Sequence, residues 1–341
     1  MKEIVVGILG AGRIGKLHAE NIMFNIPKVK LKTIVDIKMN NEMKSWAEGI
    51  GIVNTGTNSD EVFNDLEIDA VLICSSTDTH AEFIIKAARA GKHIFCEKPI
   101  AQELSDIYEA LETVEKANVK LQMGFVRRFD HNHKRVRDMV MEGKVGDPQI
   151  VKISSRDPEP PSIEYVKTSG GLFFDMMIHD FDMARYLSGS EVVEVYTQAA
   201  VLIDPEVSIY NDVDTAIVTM EFENGAIGVI DNSRASNYGY DQRVEVHGSK
   251  GCVQDSNDLS TTMVTMTREG VFSDRPKWFF LERYNDAFIA EVKAFVEAIR
   301  NDTEPEVGGF DGLQPVLIAQ AAKLSRELRR PVKISEIIDG M

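Results

Sequence analysis

Two groups of charged residues have the types that proton and hydride chemistry requires. Asp175 and His179 are four positions apart, so on a continuous helix they share one face, and Asp182 extends the same stripe. A histidine titrates near neutral pH and can accept a hydroxyl proton, while a carboxylate beside it orients the ring or the hydroxyl. Earlier in the chain, Glu97-Lys98-Pro99 ends an apolar run, and a lysine there can stabilise a developing alkoxide. Together these types indicate oxidation of an alcohol by hydride transfer.

Simpler interpretations exist for both groups. A structural histidine on a helix with a solvated acidic side accounts for residues 175–182, and Glu97 with Lys98 resembles a surface ion pair before a turn. A histidine and two carboxylates can also bind zinc or manganese, but their spacing matches no common metal motif, so we expect no metal. The surrounding elements decide between these interpretations.

A glycine-rich turn near the N-terminus indicates a dinucleotide site. An apolar run (residues 3–9) leads directly into Gly10-Ala11-Gly12-Arg13-Ile14-Gly15, and helical spacing follows. Strand, glycine turn and helix in this order form the dinucleotide-binding fingerprint, in which the helix N-terminus donates N–H groups to the phosphates. We therefore expect Gly10, Gly12, Arg13, Ile14 and Gly15 to contact the cofactor.

Asp36 follows a second predicted strand (31–35) and stands about 20 residues after the glycine turn, where a carboxylate binds the adenine ribose hydroxyls. A carboxylate at this place repels a 2′-phosphate, so NAD is favoured over NADP. Lys38 nearby softens that discrimination.

The strand and helix alternation continues and predicts a doubly wound, six-stranded parallel sheet. Further strands are expected at 69–74, 92–96 and 119–123, and helices at 58–64, 80–90 and 103–117. Ligands of such sheets bind at the carboxyl ends of the strands. The polar residues at these ends, predicted to face the cofactor, are Ser75, Ser76, Thr77, His80, Glu97 and Lys98. For His80, a capping or surface position is the alternative.

After residue 124 the pattern changes to an open, mostly antiparallel sheet, which makes the fold α/β plus α+β. Strands are predicted at 150–154, 192–200, 215–222, 226–232 and 243–247, with a β-like piece at 263–271, helices at 131–142, 175–187, 283–300 and 313–328, and an extended end at 331–334. Asn224-Gly225 is a hairpin signal. The helix at 175–187 covers one face of the sheet, and we expect a second subunit to cover the other, giving a homodimer or homotetramer.

The expected domains are therefore a Rossmann domain (1–124) and a substrate and oligomerisation domain (125–341), with the C-terminal helix packing back on the first. Because Lys98 belongs to one domain and His179 to the other, the site is predicted in the cleft between them.

Composition restricts the partners. The 341 residues carry a formal charge of −16, which argues against nucleic acid and anionic membranes. No apolar run is long enough to span a membrane, and the N-terminus enters a strand without a signal-peptide layout. With three cysteines and no metal-type spacing, a reduced cytoplasmic setting is expected.

The glycine turn and Glu97-Lys98-Pro99 together resemble the glucose–fructose oxidoreductase / inositol dehydrogenase (Gfo/Idh/MocA) family over essentially the whole chain. Segments 155–161, 170–171, 175–182, 231–234 and 238–243 are most similar to its inositol 2-dehydrogenase branch.

The resemblance implies roles for individual residues. Lys98 contacts both the substrate hydroxyl and the nicotinamide, and His179 is the base with Asp175 beside it. The residues expected to line a polyol pocket are Arg128, Asp157, Asp182 and Tyr238, with Tyr240 as an alternative to Tyr238, and Tyr284 is expected near the nicotinamide. A cis peptide bond is expected between Lys98 and Pro99.

The implied reaction is oxidation of myo-inositol to 2-keto-myo-inositol (scyllo-inosose), a step of inositol catabolism. Within the same chemistry the alternatives are scyllo-inositol and a sugar such as glucose. The alternative outside the enzymes is a regulator that binds a nucleotide without catalysing a reaction, a role that the same fold also serves. The joint presence of Lys98, Asp175 and His179 argues against that role.

Overall fold

The computed structural model describes residues 3–340. Its contacts divide the chain into two compact units. One comprises the described residues up to Phe129 together with Asp286–Gln314, and the other comprises Asp130–Asn285 together with the residues from Pro315 onward. Two helices cross from one unit to the other, so each unit is built from two stretches of sequence.

The strands, in chain order, are β1 (Ile4–Leu9), β2 (Val29–Val35), β3 (Asn54–Gly56), β4 (Ala70–Ile73), β5 (His93–Glu97), β6 (Leu121–Gly124), β7 (Pro148–Arg156), β8 (Val192–Ala200), β9 (Thr215–Phe222), β10 (Ile227–Ser233), β11 (Asp241–Gly248), β12 (Gly251–Asp255), β13 (Val264–Thr267), β14 (Gly270–Ser273) and β15 (Val332–Lys333).

The α-helices are α1 (Arg13–Asn25), α2 (Asn41–Gly49), α3 (Asp60–Phe63), α4 (His80–Arg89), α5 (Leu104–Ala117), α6 (His131–Met141), α7 (Ile163–Ser169), α8 (Gly171–Asp175), α9 (Met177–Ser188), α10 (Phe280–Arg283), α11 (Asn285–Asn301), α12 (Gly309–Leu328) and α13 (Ile334–Asp339). Short 3-10 helices lie at Thr77–Thr79, Val126–Phe129 and Pro205–Tyr210.

The first unit contains a six-stranded parallel sheet in the order β3-β2-β1-β4-β5-β6, so the predicted doubly wound sheet is confirmed. Its central strands are fully buried because they carry apolar residues without alternation, as parallel strands between two helix layers must. The order reverses between β1 and β4, and ligands of open α/β sheets bind at that reversal. The sequence had assigned no residues to β3 or α2.

The second unit contains a seven-stranded sheet in the order β12-β11-β7-β10-β9-β8-β15. Its pairs are antiparallel except for β7 with β10, so the expected open, mostly antiparallel sheet is confirmed. The predicted bounds of β8 and β9 coincide with the observed ones, and Gly225 in the turn that follows β9 has φ 83°. The β-like piece at 263–271 is a separate hairpin of β13 and β14.

The helix predicted at 175–187 corresponds to α9, which begins two residues later because the helix is interrupted at Met176. The two short helices before it, α7 and α8, were not predicted. Where α7 ends and α8 begins, Gly170 and Gly171 have φ of 84° and 82°, a conformation that favours glycine. The Asp212 carboxylate accepts the Leu172 N–H at 2.9 Å and lies where a side chain on Gly171 would be. The long helix predicted at 283–300 is likewise divided, at Tyr284, into α10 and α11.

Residues alternate between buried and exposed along β9 and β10, so the sheet of the second unit has one covered and one open face. Helix α9 packs against β7 and β10 on the covered face. There the buried Asn232 donates from Nδ2 to Asp180 Oδ2 at 3.0 Å, which ties α9 to the sheet.

Among residues 3–340, no helix is both long and apolar enough to cross a membrane.

Candidate active site

The glycine turn has the geometry of a phosphate cradle. Gly10 has φ 98°, and a Cβ there would lie 2.5 Å from the Cys74 carbonyl oxygen. A Cβ on Gly15 would lie 1.9 Å from the Gly10 carbonyl oxygen, so only glycine allows α1 to approach the turn this closely. A Cβ on Gly12 would meet no atom within 4 Å, so the backbone is open there. This cradle, with Arg13 and Ile14 beginning α1, fits the pyrophosphate of a dinucleotide.

Asp36 lies beside that cradle. It follows β2, and its carboxylate accepts the Ala11 N–H at 2.7 Å and the Lys38 N–H at 2.7 Å. The acid is therefore held at the end of β2 next to the glycine turn, where the fingerprint places the ribose-binding carboxylate.

Lys98 follows β5 directly and is half-buried at the same carboxyl edge of the sheet. The peptide bond between Lys98 and Pro99 is cis, as predicted. Glu97 pairs with Gly124 in β6, and a Cβ on Gly124 would lie 3.0 Å from Glu97 Oε2. The glycine thus leaves the space that the Glu97 carboxylate occupies.

His80 was predicted to face the cofactor, with a capping or surface position as the alternative. The side chain is buried, with Nδ1 2.7 Å from the Pro99 oxygen and Nε2 3.0 Å from the Ser75 oxygen. Burial lowers the pKa of His80, while the hydrogen bonds to the Pro99 and Ser75 carbonyls oppose that shift. The buried His80 ring therefore connects the loop after β4 with the loop after β5. Ser75 and Ser76 are engaged by Thr79, whose hydroxyl lies 2.6 Å from the Ser75 hydroxyl and donates to the Ser76 oxygen at 2.8 Å, while Thr77 begins a 3-10 turn.

In the second unit, parallel pairing of β7 with β10 brings two charged residues together. Arg156 and Ser233 are partners at the ends of these strands, so the next residues, Asp157 and Arg234, are neighbours. Arg234 is buried and donates to Asp157 Oδ2 at 3.3 Å and to Asp175 Oδ2 at 2.9 Å. Burial opposes the charge of Arg234, but the two carboxylates outweigh it and raise its pKa.

Asp175 and His179 lie in a segment that is otherwise almost entirely buried. Every residue from Gly171 to Arg185 is buried except these two, which are partly exposed. Asp175 ends α8, where Tyr165 Oη donates to its Oδ1 at 2.8 Å, and His179 lies in the first turn of α9 next to the anchored Asp180. An acid and an imidazole are thus partly accessible on an otherwise buried segment.

Other predicted pocket residues have contacts of their own. Asp182 is buried and lies 3.8 Å from Arg185 Nη1. Arg128, in the first unit, donates to Asp311 Oδ1 at 2.8 Å. Tyr238 Oη donates to Asp241 Oδ2 at 2.5 Å and accepts from Arg156 Nη1 at 3.0 Å.

Tyr284, which was expected near the nicotinamide, and Tyr240, the alternative to Tyr238, lie close to each other. Tyr284 and Tyr240 are buried, and their ring centroids are 6.0 Å apart. The two rings meet edge to face, so both side chains contribute to packing within the second unit.

Comparison with known proteins decides the family. Residues 4–125 match the family model described as "Oxidoreductase family, NAD-binding Rossmann fold", and residues 133–254 match the model of the GFO/IDH/MocA C-terminal domain. The chain belongs to the Gfo/Idh/MocA family. It is therefore an oxidoreductase with an NAD-binding Rossmann domain.

Relatives within this family align over nearly the full chain. A Bacillus subtilis (strain 168) protein named "Uncharacterized oxidoreductase YrbE" is 51% identical, covering 98% of this chain and 97% of its own. The myo-inositol 2-dehydrogenase of Thermotoga maritima is 45% identical, covering 98% and 99%. The crystal structure of scyllo-inositol dehydrogenase from Lactobacillus casei with bound NAD(H) and scyllo-inositol is 31% identical, covers 98% and 100%, and superposes with a TM-score of 0.91.

Sequence reasoning did not single out Arg234 and Tyr165, the two residues that donate hydrogen bonds to Asp175. Arg234 entered the sequence analysis only within segment 231–234, which resembles the family. Its position close after a predicted strand could have indicated that it lies at the edge of the sheet. Tyr165 lies on α7, which was not predicted, so nothing in the pattern pointed to its contact with Asp175.

Proposed function

We propose that this oxidoreductase oxidises a cyclic polyol with NAD, converting myo-inositol to 2-keto-myo-inositol (scyllo-inosose). The observation that carries the proposal is the polar group of Asp157, Asp175 and Arg234, together with the partly exposed His179 four residues after Asp175. Relatives named myo-inositol 2-dehydrogenase and inositol 2-dehydrogenase, 45% and 41% identical over nearly the whole chain, support the substrate class.

The cofactor would be held by the first unit. The residues that would hold NAD are Gly10, Gly12, Arg13, Ile14 and Gly15 at the pyrophosphate, Asp36 at the ribose, and Ser75, Ser76 and Thr77 after β4. When bound, NAD accepts a hydride from the carbon that bears the reacting hydroxyl. The charge of Asp36 favours NAD over NADP, because a 2′-phosphate would meet a carboxylate there.

The proton leaves the hydroxyl separately. His179 takes it as general base, while Lys98 places a positive charge beside the oxygen as negative charge develops. Asp175 is bound by Arg234 and Tyr165, so its carboxylate has a fixed direction from which to orient the hydroxyl or the imidazole. The proposal requires that Lys98 and His179 act on the same hydroxyl.

Recognition of a polyol needs several donors and acceptors, since each hydroxyl lost from the substrate would leave a polar protein group unsatisfied. Asp157, Asp175, Arg234 and Tyr165 supply such groups within one network of the second unit. We propose Arg128, Asp182, Tyr238 and Tyr284 as further contributors to substrate or nicotinamide binding.

A second candidate substrate is scyllo-inositol, which the Lactobacillus casei structure holds in an enzyme of the same fold, and glucose-type sugars are a third. NADH absorbance with a panel of inositols and hexoses distinguishes them. We expect the highest kcat/KM with myo-inositol. A higher kcat/KM with scyllo-inositol or glucose would make that compound the substrate instead. If NAD binds but none of the inositols and hexoses is oxidised, the proposed function is overturned.

We also propose that the open face of the sheet joins copies of the chain into a homodimer or homotetramer. Side chains exposed on this face, such as Ile217 and Ile227, alternate with buried ones along β9 and β10. Light scattering tests the assembly, and a monomer at micromolar concentration would contradict it.

A further inference from the structure

Glu291 is an acid in the core of the first unit. It lies on α11 beside Val292 and is fully buried. Within residues 3–340, neither of its carboxyl oxygens has a hydrogen-bond partner. A buried, unsatisfied carboxylate is strongly unfavourable, so such a group holds a proton or has a role that offsets its cost.

His18 and Glu97 face this acid. His18, on α1 one turn after the glycine cradle, is fully buried and lies with Nε2 2.8 Å from Glu97 Oε1 and 3.8 Å from Glu291 Oε1. Phe95 and Phe288 pack edge-on against its ring at 5.2 and 5.7 Å between centroids, so the imidazole has little freedom to turn. Two carboxyl groups therefore converge on one fixed imidazole.

The charges of His18, Glu97 and Glu291, called the trio below, favour a proton retained on one carboxyl group. Burial and then the Glu97 charge raise the pKa of Glu291 well above its usual range. Two carboxylates this close repel each other strongly when both are ionised in a region of low polarity. Neutral Glu291 removes that repulsion and leaves the Glu97 carboxylate to accept from His18.

The trio adjoins Lys98, the residue to which the proposed function gives a catalytic role. Lys98 follows Glu97, which His18 holds, and precedes Pro99, whose oxygen contacts His80 at 2.7 Å. Two buried histidines thus hold the residues on either side of Lys98.

We propose that Glu291 stores a proton in the core and, with His18, is a positioning residue that fixes Glu97 and thereby Lys98 for hydride transfer. The part concerning Lys98 rests on the proposed function, whereas the stored proton does not. The step involves no redox change: the proton stays on the Glu291 carboxyl group during turnover.

A divalent cation is the competing occupant, because ligand atoms of the three residues all lie within 4.8 Å of one another. Metal-bound histidines almost always donate their second ring N–H to a partner. His18 Nδ1 is buried and has no hydrogen-bond partner in the described part of the chain, and Nε2 is at hydrogen-bond distance from Glu97. This arrangement favours a proton over a metal.

The stored proton is tested without substrate. Because Asp255, whose pKa is raised to about 7, also holds a proton in part of the molecules at pH 7, the spectra are recorded on full-length Asp255→Asn protein. Its infrared spectrum at pH 7 should contain a protonated carboxyl band that Glu291→Gln removes. The control Glu297→Gln, which alters an exposed residue on the same helix, should retain the band. A band absent from the Asp255→Asn protein, or a stoichiometric metal found by elemental analysis that Glu291→Gln abolishes, would overturn the proposal.

The positioning role is tested by kinetics of two variants. Glu291→Leu should lower kcat by about tenfold and change the pH profile of kcat with little effect on the KM for NAD, because Lys98 is displaced rather than the cofactor. Glu291→Gln, which keeps the neutral shape, should restore most of kcat. A folded Glu291→Leu enzyme with the native kcat and pH profile would overturn the role. If the native enzyme oxidises no polyol, the proposed function fails, and the infrared result still decides the stored proton.

Discussion

Arg234 donates from Nη2 to Asp175 Oδ2 at 2.9 Å, which joins the end of β10 to the end of α8. The same guanidinium also reaches Asp157. An acid that sequence reasoning assigned to orienting the substrate is therefore itself oriented by a buried cation.

Removing that cation should affect both stability and substrate binding. We expect Arg234→Met to destabilise the protein by roughly 3 kcal/mol, since two carboxylates would lose a buried partner. Arg234→Lys should keep the charge but lose the two-armed geometry, raising the KM for the polyol with little change in the KM for NAD. Urea denaturation and initial rates measure these effects, and an unchanged polyol KM in Arg234→Lys would contradict the assigned contact.

Replacing the proposed base should reduce turnover and spare cofactor binding. His179→Ala should lower kcat by a factor on the order of 10² to 10⁴ because the hydroxyl proton loses its acceptor. Its NAD affinity, measured by fluorescence titration, should stay near the native value. His131→Ala, at an exposed histidine, serves as control. An equal loss of NAD affinity would show that His179 supports the fold or the cofactor.

The charge of Asp36 can be separated from its contact with the glycine turn. Asp36→Asn keeps an oxygen that can accept the Ala11 N–H but removes the negative charge. We expect NAD to bind about tenfold more weakly and the NAD-to-NADP preference to fall, since charge-assisted bonds to the ribose are lost. Asp36→Ala should weaken binding further. Kinetics with both cofactors test this, and an unchanged preference in Asp36→Asn would refute the ribose assignment.

Asp255 should make the protein less stable as pH rises. Burial raises its pKa to about 7, with Asp130 and Asp258 adding to the rise and Arg283 opposing it. The folded protein therefore keeps a proton that the unfolded chain loses above about pH 4, so this group's contribution to stability falls between about pH 4 and 7 and then levels off.

The check on Asp255 is its amide. In urea denaturation, the free energy of unfolding of Asp255→Asn should rise relative to that of the native protein between pH 4 and 7. The control Asp339→Asn, at an exposed residue, should show the same pH dependence as the native protein. His133 Nε2 lies 3.3 Å from Asp255 Oδ2, so His133→Gln should be measured alongside to separate the contribution of this contact. Parallel curves for Asp255→Asn and the native protein would contradict the raised pKa.

Periodicity in the sequence predicted most of the architecture because burial imposes it locally. The strands around Ile8 and Leu72 are continuous apolar runs, and β9 alternates strictly, so both sheets could be recognised before any contact was known. The break at Met176 was missed because residues 172–182 contain no glycine or proline, so nothing in the sequence marks the interruption.

The site was predictable only as a set of residue types. Lys98, Asp175 and His179 could be chosen because each chemistry demands a particular side chain. Arg234 with Asp175, and His18 with Glu291, meet through pairings between distant segments, and no local pattern encodes such contacts. For His80, a position after a strand says nothing about whether the ring points outward or into the core, so its burial and its contacts with two carbonyl oxygens could not be predicted.

The central claim is that hydride leaves C2 of myo-inositol for NAD. The most direct measurement uses myo-inositol deuterated at C2 and examines the reduced cofactor by mass spectrometry. We predict that each NADH formed carries one deuterium, together with a slower rate if hydride transfer limits turnover. Unlabelled NADH from the deuterated substrate, or no NADH at all from myo-inositol, would contradict the claim.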